Sequence, residues 1–405
     1  MRPLSGIRIL DLTIVVAGPV GTSILGNLGA EVIKVENTVQ RTLTRSTSSR
    51  AAGRGGNFID LNRDKLGITL NLNVPQARDI FKRLVRISDV VIENFSPRVM
   101  RNFGLEHDDL VKVNPGIITV SMPAFGKTGP LRDMTSFGPG IDAMSGLSHL
   151  TGYPDSTPLK PGNYYCDYNA GVLAALAVMA AVFHKRRTGR GQAIEVAMRD
   201  GETQLVGEFI LDYVLNGRVQ QRAANRHPNV APHNVYRCRG EDEWLAIAVE
   251  TDAQWAALCR VMTRPQLSTD PLFATTLARK RNEDAVDRVV AEWAAGQDKI
   301  EAMHLLQAEG IPASAVMTTA DIASDPHFLA RGAFQEVRMP RGDTFRLQRA
   351  AWTARRADIR IGPGPEYSEH TEQVLRDLLG LSEDEIAALA EAGAIALPER
   401  AEERV

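Results

Sequence analysis

The run Ala170–Phe183, AGVLAALAVMAAVF, is apolar at every position. A helix apolar around its whole circumference belongs inside a protein, so this run predicts a central buried helix with structure on all sides. It falls short of the roughly 20 residues needed to cross a bilayer. It continues into His184-Lys185-Arg186-Arg187 and Gly189, a basic last turn followed by a glycine stop. Immediately before it stands a turn-rich segment starting at Pro161, with a single acid, Asp167, among Tyr164, Tyr165, Cys166 and Tyr168. Two readings fit that acid. Asp167 or Asn169 caps the helix, or Asp167 is a carboxylate held at helix N–H groups and offered to a substrate as a nucleophile. Position alone leaves both open.

A chain of 405 residues has room for about two domains. A formal net charge of −2 argues against a nucleic-acid partner or a polybasic membrane patch. The three cysteines, Cys166, Cys238 and Cys259, make neither a disulfide framework nor a CxxC zinc pattern, and the eight histidines show no HExxH spacing. No metal is expected. The opening MRPLSGIRILDLT lacks the features of a secretory leader, and the expectation is a cytoplasmic, reducing location.

Along the chain, Ile7–Leu12, a helix over Gly18–Gly29 and Glu31–Glu36 read as strand, helix, strand, the unit of a parallel sheet. The intervening turn, AGPVG, is not GxGxxG, so no nicotinamide cofactor is expected. Asn37–Asn62 reads as a loop whose Arg41, Arg45, Arg50 and Arg54 suit phosphate capture or merely a solvated excursion. Strands follow at Ile68–Leu72, Val90–Glu93, Ile117–Met122 and Ala193–Ala197. Helices are expected at Pro75–Ile87, Leu105–Val113 and Asp200–Asn216, and Pro123–Gly140 reads as irregular. From Gly217 the composition turns arginine-rich, and residues 225 to about 325 read as a second, smaller domain. It holds a strand at Trp244–Val249 and helices at Ala253–Met262, Arg281–Ala295 and Lys299–Glu309. A hairpin over Phe334–Ala354 with an Arg341-Gly342-Asp343 turn, then helices at Glu369–Leu379 and Ser382–Ala392, return to the larger domain, residues 1–216 plus about 330–405.

In this order the sequence resembles the family III CoA-transferases, the group of formyl-CoA transferase and the carnitine and bile-acid CoA-transferases. The resemblance rests on LSGIRILDL, AGP, LGAEVIKVE, ENFSP with its following Gly104-Leu105, DYNAG, HKRRTGRGQ, APHNVYRCRGEDEWLAIAV, GIPASAV and SEHTEQVL. It implies an α/β fold: a large Rossmann-like domain, a small α+β domain, and a homodimer of interlocked rings. It implies acyl-CoA and carboxylic acid substrates, with coenzyme A as co-substrate, and catalysis by the aspartate matching Asp167. CoA contacts fall on Val15, Val16, Ala17, Leu70, Asn94 and Phe95. An arginine of formyl-CoA transferase matches Asn37, and the basic residues after ENF stand at Arg98 and Arg101, so Arg101 is the remaining candidate for a phosphate. The glycine-rich loop of formyl-CoA transferase is absent, and Asn225-Arg226-His227-Pro228 stands in its region, which argues against formyl-CoA and oxalate.

Moving CoA between acids requires a nucleophile that can become first an anhydride and then a thioester, and a carboxylate meets that requirement. The oxyanions need aimed donors, sought at Gly138, Gly140 or the Asn225–Pro228 loop. Tyr164 and Tyr165 either line the acyl pocket or pack over the helix. His227 either reaches the acyl group or is structural, and Arg226 suits a dicarboxylic acyl group. Three alternatives compete. An acyl-CoA racemase of the same fold needs a histidine that aligns at Phe137, where none stands. An intramolecular CoA transfer needs Asp167 alone. A partner subunit of a heteromeric enzyme fits less well with Asp167 retained.

Overall fold

A computed structural model describes residues 2–39, 45, 56–340, 342–357 and 359–398. Arg8–Asp11 (β1), Glu31–Glu36 (β2), Lys65–Thr69 (β3), Val90–Glu93 (β4), Ile118–Ser121 (β5) and Ala193–Glu195 (β6) form one sheet. Its order is β3-β2-β1-β4-β5-β6, and every neighbouring pair is parallel. The helices that frame the site are Ala17–Asn27 (α1), Pro75–Arg86 (α2), Gly138–Ser145 (α3), Tyr165–Thr188 (α4), Met198–Thr203 (α5) and Gly207–Asn216 (α6).

Side chains alternate across a strand, and here the alternation feeds two cores. Ile9, Val32, Val90 and Ile92 pack with Ala17 and Leu25 of α1 and with Ala170, Ala174 and Val178 of α4. Leu10, Ile33 and Val91 pack on the other face, with Ile80, Phe81 and Leu84 of α2 and Val374 and Leu375 of a C-terminal helix. A parallel sheet covered on both faces is the mixed α/β arrangement that strand–helix–strand units build.

The chain divides into two compact units: Met1–His149 with Leu159–Gln220 and Ala330–Val405, and Leu150–Pro158 with Gln221–Leu329. The second unit carries an antiparallel sheet of His233–Arg237 (β7), Trp244–Ala248 (β8) and Ala313–Ala315 (β9). Trp255, Leu258, Val286, Val290 and Leu306 from its helices complete that core. The first unit adds an antiparallel hairpin, Phe334–Arg338 (β10) with Thr344–Gln348 (β11).

Several expectations need correction. The segment expected as a loop to Asn62 contains a helix at Gly56–Leu61. Arg41, Arg50, Arg54 and the hairpin's Arg341 lie outside the described residues. β3 starts at Lys65, because Lys65 is a buried ion-pair partner and not the solvated residue its type predicts. The helix expected over Leu105–Val113 is only the short His107–Leu110, and a second short helix not expected precedes it at Arg98–Phe103, ended by Gly104 with its left-handed φ of 63°. The long helix expected over Asp200–Asn216 is interrupted by a 3-10 turn at Gln204–Val206. β7 and β9 were not read as strands.

The largest correction concerns α4. It is 24 residues long and begins at Tyr165, inside the segment expected to be a turn. That length is enough for a membrane span, and half of its apolar window is buried within the fold. Nor is it covered on all sides: Val172, Leu176 and Phe183 are 53%, 58% and 62% exposed.

β1 ends on a fully buried charge cluster. Asp11 pairs with Lys65 at 3.0 Å and lies 3.7 Å from Lys34, and it accepts hydrogen bonds from Thr22 Oγ1 and the Thr13 backbone N–H, each 2.8 Å long. Burial alone would raise the Asp11 pKa, but the two ammonium groups and these donors hold it well below the carboxylate range. Lys65 also donates to Thr22 Oγ1 and Asn62 Oδ1, and burial still lowers its pKa to about 8. Removing one member of a buried pair leaves an uncompensated charge. Asp11→Asn is therefore expected to destabilise the fold by ~3–5 kcal/mol, measured by urea unfolding.

Candidate active site

Strand order reverses beside β1, and in open parallel sheets ligands bind at such a point, beyond the carboxyl ends of the strands. The loops leaving β1 and β4 meet there. Asn94 Oδ1 accepts the Ile14 N–H at 2.7 Å, and its Nδ2 donates to the Ile14 carbonyl at 2.8 Å. Asn94 thus clamps one loop to the other with both ends of its amide. The next residue, Val15, is held at φ 63°, a conformation that costs a β-branched residue about 1–3 kcal/mol. Across from it, Glu93 Oε2 accepts the Phe95 N–H at 2.7 Å.

Between these loops opens a mainly apolar cleft of about 500 Å³, lined by Leu12, Val15, Leu70, Phe95, Phe103 and Phe137 among others. A smaller hollow of about 110 Å³ shares Ile14, Val15, Phe95 and Phe137 with it and reaches Gly138 and Asp167. No histidine is among the residues lining either. Val16 and Ala17 lie buried at the start of α1, beside this lining rather than in it.

Asp167 occupies the first turn of α4. Neither it nor Asn169 is a cap: the N-cap is Tyr164, with no side-chain capping bond. Asp167 is 7% exposed. It is hydrogen-bonded by the Ala17 backbone N–H and its own, and the Cys166 Sγ lies 3.5 Å from its Oδ2. Burial outweighs these donors, and together with the nearby Asp142 it pushes the Asp167 pKa up from 3.8 to about 6. Gly138 is required opposite: a Cβ there would lie 2.2 Å from Asp167 Oδ2. As the first residue of α3, Gly138 also has a backbone N–H that no helical carbonyl accepts. The Gly140 N–H is not available for an oxyanion, since it donates to the Phe137 carbonyl at 2.9 Å.

Behind Asp167 the fold assembles groups that sequence spacing did not reveal. Asp142 on α3, Glu202 on α5 and Cys166 on α4 are all fully buried, with side-chain O and S atoms within 4.8 Å of one another. Burial first, then the adjacent acids, raises the Cys166 thiol far above its ordinary value, so it stays neutral. Burial and the proximity of Asp142 likewise raise Glu202. No metal-type cluster was expected; the available signal was the single acid of the short helix GPGIDAMS, Asp142, while MRDGET carries two acids, Asp200 and Glu202, of which only Glu202 is buried.

The other expected site residues divide. Tyr164 and Tyr165 are about half exposed at the start of α4 and do not line the hollow. Arg101 is exposed and pairs with Glu106 at 3.3 Å. Asn225, Arg226 and His227 belong to the second unit. There the Asn225 carbonyl accepts from His233 Nδ1 at 2.7 Å, and the His227 and His233 rings lie 5.5 Å apart. Arg226, expected to be free for a substrate carboxylate, is engaged by Asp284, Asp287 and Glu283 at 2.5, 3.2 and 3.7 Å.

The sequence profile of CoA-transferase family III matches residues 4–371. The chain is 35% identical to the succinyl-CoA–D-citramalate CoA-transferase of Chloroflexus aurantiacus, over 96% of this chain and 97% of that one. It is 31% identical to the succinate–glutarate CoA-transferase of Agrobacterium fabrum, over 93% and 96%. Among solved structures, a CAIB/BAIF family protein from Brucella suis superposes with a TM-score of 0.86 at 31% identity, covering 93% of this chain and 99% of that one. Rv3272 from Mycobacterium tuberculosis superposes with a TM-score of 0.79 at 29% identity, covering 92% and 99%.

The close approach at Gly138 yields a test. Gly138→Ala must push the Asp167 carboxylate aside or shift α3, and a displacement on the order of 1 Å at a reacting group costs about 100-fold in rate. The variant is expected to keep its circular dichroism spectrum and lose about that factor in kcat.

Proposed function

Because the chain belongs to CoA-transferase family III, and is a transferase of that class, we propose that Asp167 is the nucleophile that carries CoA from an acyl-CoA thioester to a carboxylic acid. The observation that carries this reading is the placement of Asp167: a buried carboxyl at the end of a hollow joined to the strand-end cleft, within the first turn of a helix. That turn supplies unpaired N–H groups and the positive end of the helix dipole, which favour the ionised form, while burial makes the carboxylate more basic than a solvated one. With a pKa of about 6 it is mostly ionised at neutral pH, yet a stronger nucleophile than an ordinary aspartate.

The transfer runs in four steps. Asp167 Oδ attacks the thioester carbonyl; the C–S bond breaks, CoA thiolate leaves and an acyl–aspartyl anhydride remains. The thiolate attacks the aspartyl carbonyl of the anhydride, forming an aspartyl-CoA thioester and releasing the donor as a carboxylate. The acceptor carboxylate attacks that thioester, regenerating an anhydride and the thiolate. The thiolate then attacks the acceptor's acyl carbon, giving the new acyl-CoA and free Asp167. No proton is consumed, so the site needs oxyanion donors but no general acid. The Gly138 N–H is our candidate donor. The cleft lined by Val15, Leu70 and Phe95 is our candidate for the CoA arm, with Asn94 holding the loops that shape it.

The names of the relatives support a short dicarboxylic acid, of the succinate, glutarate or citramalate kind, as donor or acceptor. We further propose a Rossmann-like CoA-binding domain and a homodimer, for which the uncovered apolar residues Val172, Leu176 and Phe183 on α4 and Leu211, Val214 and Leu215 on α6 offer the surface. The absence of a histidine from the lining of the hollow supports transfer over α-proton exchange.

Asp167→Asn is expected to lower turnover of succinyl-CoA with a panel of dicarboxylates by roughly 10,000-fold or more, as loss of a covalent nucleophile does, while CoA affinity by calorimetry stays near wild type. Mass spectrometry of wild-type enzyme, quenched with hydroxylamine during turnover, should find the modification on Asp167. Substantial residual turnover in the variant would refute the assignment. In addition, kcat/KM requires ionised Asp167, so it is expected to fall as pH drops through about 6.

A further inference from the structure

Two carboxyl groups sit behind Asp167 with nothing to neutralise them. Asp142 and Glu202 are fully buried, and while both are ionised none of their four oxygens has a hydrogen-bond partner. Ser145 Oγ is occupied with the Asp142 backbone carbonyl at 3.0 Å, and Arg199 Nε, on the same helix as Glu202, donates to the Met144 carbonyl at 3.0 Å. Ser145 eases the charge on Glu202 only in part, since burial and the adjacent Asp142 outweigh it. Around Asp167 the ionisable neighbours are Cys166 and Tyr168 on its own helix, Asp142 on α3 and Glu202 on α5. α1, packed across from it, has no ionisable side chain from Ala17 to Asn27. No cation is among these groups. Three carboxylates in such a space cannot all be charged, because a lone buried charge costs several kcal/mol and like charges at contact distance cost more.

Resting on the reading of Asp167 as nucleophile, we propose that Asp142 and Glu202 share one proton and act as a positioning pair, holding a single fixed negative charge behind Asp167. Shared between them, the proton satisfies an oxygen on each residue, as in the acid dyads where two close carboxyls titrate as a unit. Burial and the adjacent Asp142 favour the neutral form of Glu202, so within the pair the proton is assigned to Glu202 and the charge to Asp142. That charge faces Asp167 and disfavours its ionised form, so the pair strengthens the basicity that burial begins. The buried Cys166 thiol, 3.5 Å from both Asp167 Oδ2 and the Gly138 carbonyl, is a neutral spacer between the pair and the nucleophile. Charge neutralisation of the pair would make Asp167 more acidic and a weaker nucleophile without touching a substrate contact.

The test reads protonation directly and needs no substrate. Infrared difference spectra of the full-length enzyme at pH 7.5 should contain the C=O stretch of a protonated carboxyl, persisting in Asp167→Asn and lost in Glu202→Gln. In protein labelled with ¹³Cγ-aspartate, the resonance that disappears in Asp167→Asn should titrate about one pH unit lower in Asp142→Asn than in wild type, the effect of removing one adjacent charge. In Glu202→Gln, whose amide still donates to Asp142, it should move less. A missing protonated band, a band indifferent to Glu202→Gln, an unmoved Asp167 titration, or a stoichiometric divalent metal bound in place of the proton would overturn the proposal. If Asp142→Asn does not fold, the Glu202→Gln spectra still decide it. Turnover by Asp167→Asn would remove the nucleophile assignment and leave both spectra unchanged, so the two failures are distinguishable.

Discussion

The site depends on how closely α1 and α4 approach each other. A Cβ on Gly171 would lie 2.6 Å from the Ala17 carbonyl, and one on Gly21 would lie 2.8 Å from the Gly171 carbonyl. Only two glycines facing each other permit this distance. The approach brings the N-terminus of α1 against the first turn of α4, so that Asp167 receives a hydrogen bond from Ala17 of another helix. The same contact buries Ala170 and Ala174, whose small side chains let α4 lie flat on α1 and the sheet. α1 is placed in turn by the loop from β1, which the Asn94 clamp and the buried Asp11 cluster hold at both ends. Strain at Val15 persists because these contacts over-determine the loop.

Much of this was legible in the residues. The apolar-rich runs IRILDL and EVIKVE identified strands that the fold realises as Arg8–Asp11 and Glu31–Glu36, because both faces of the sheet are covered. The acid before the apolar run was visible as Asp167, and the strand-end loops at Val15 and Asn94-Phe95 were visible as places where a ligand binds. What stayed hidden was tertiary. The apolar run Ala170–Phe183 carries no periodicity, so it could not reveal that one side of α4 is uncovered. Tyr165 and Cys166 look like turn residues next to PGN, yet they form the first turn of the helix. The strand expected from Ile68 starts at Lys65, whose lysine side chain is interior only through its pairing with Asp11. Arg226 looked available because its three acids stand far along the chain.

Two of the buried acids of the first unit, Asp11 and Asp167, make the chemical logic explicit. Asp11 and Asp167 are the same residue type, both removed from water, and both feel the same penalty for ionising. Asp11 is met by two ammonium groups and by further donors from Thr13 and Thr22, and its pKa falls. Asp167 is met by backbone N–H groups, a thiol and further acids, and its pKa rises to about 6. The difference lies in which partners the fold supplies, since burial acts on both in the same direction. A cluster of paired charges holds a loop in place, and its charge changes only as Lys65 titrates near pH 8. In the proposed role of Asp167, an acid held among other acids is ready to share its electrons with a carbonyl carbon, because bonding to carbon relieves the charge that its surroundings resist. With Asp167 as the proposed nucleophile, the lack of a cation among the described groups titrating with Asp167, Asp142 and Glu202 would keep it reactive, and a lysine placed there would improve stability at the expense of the chemistry.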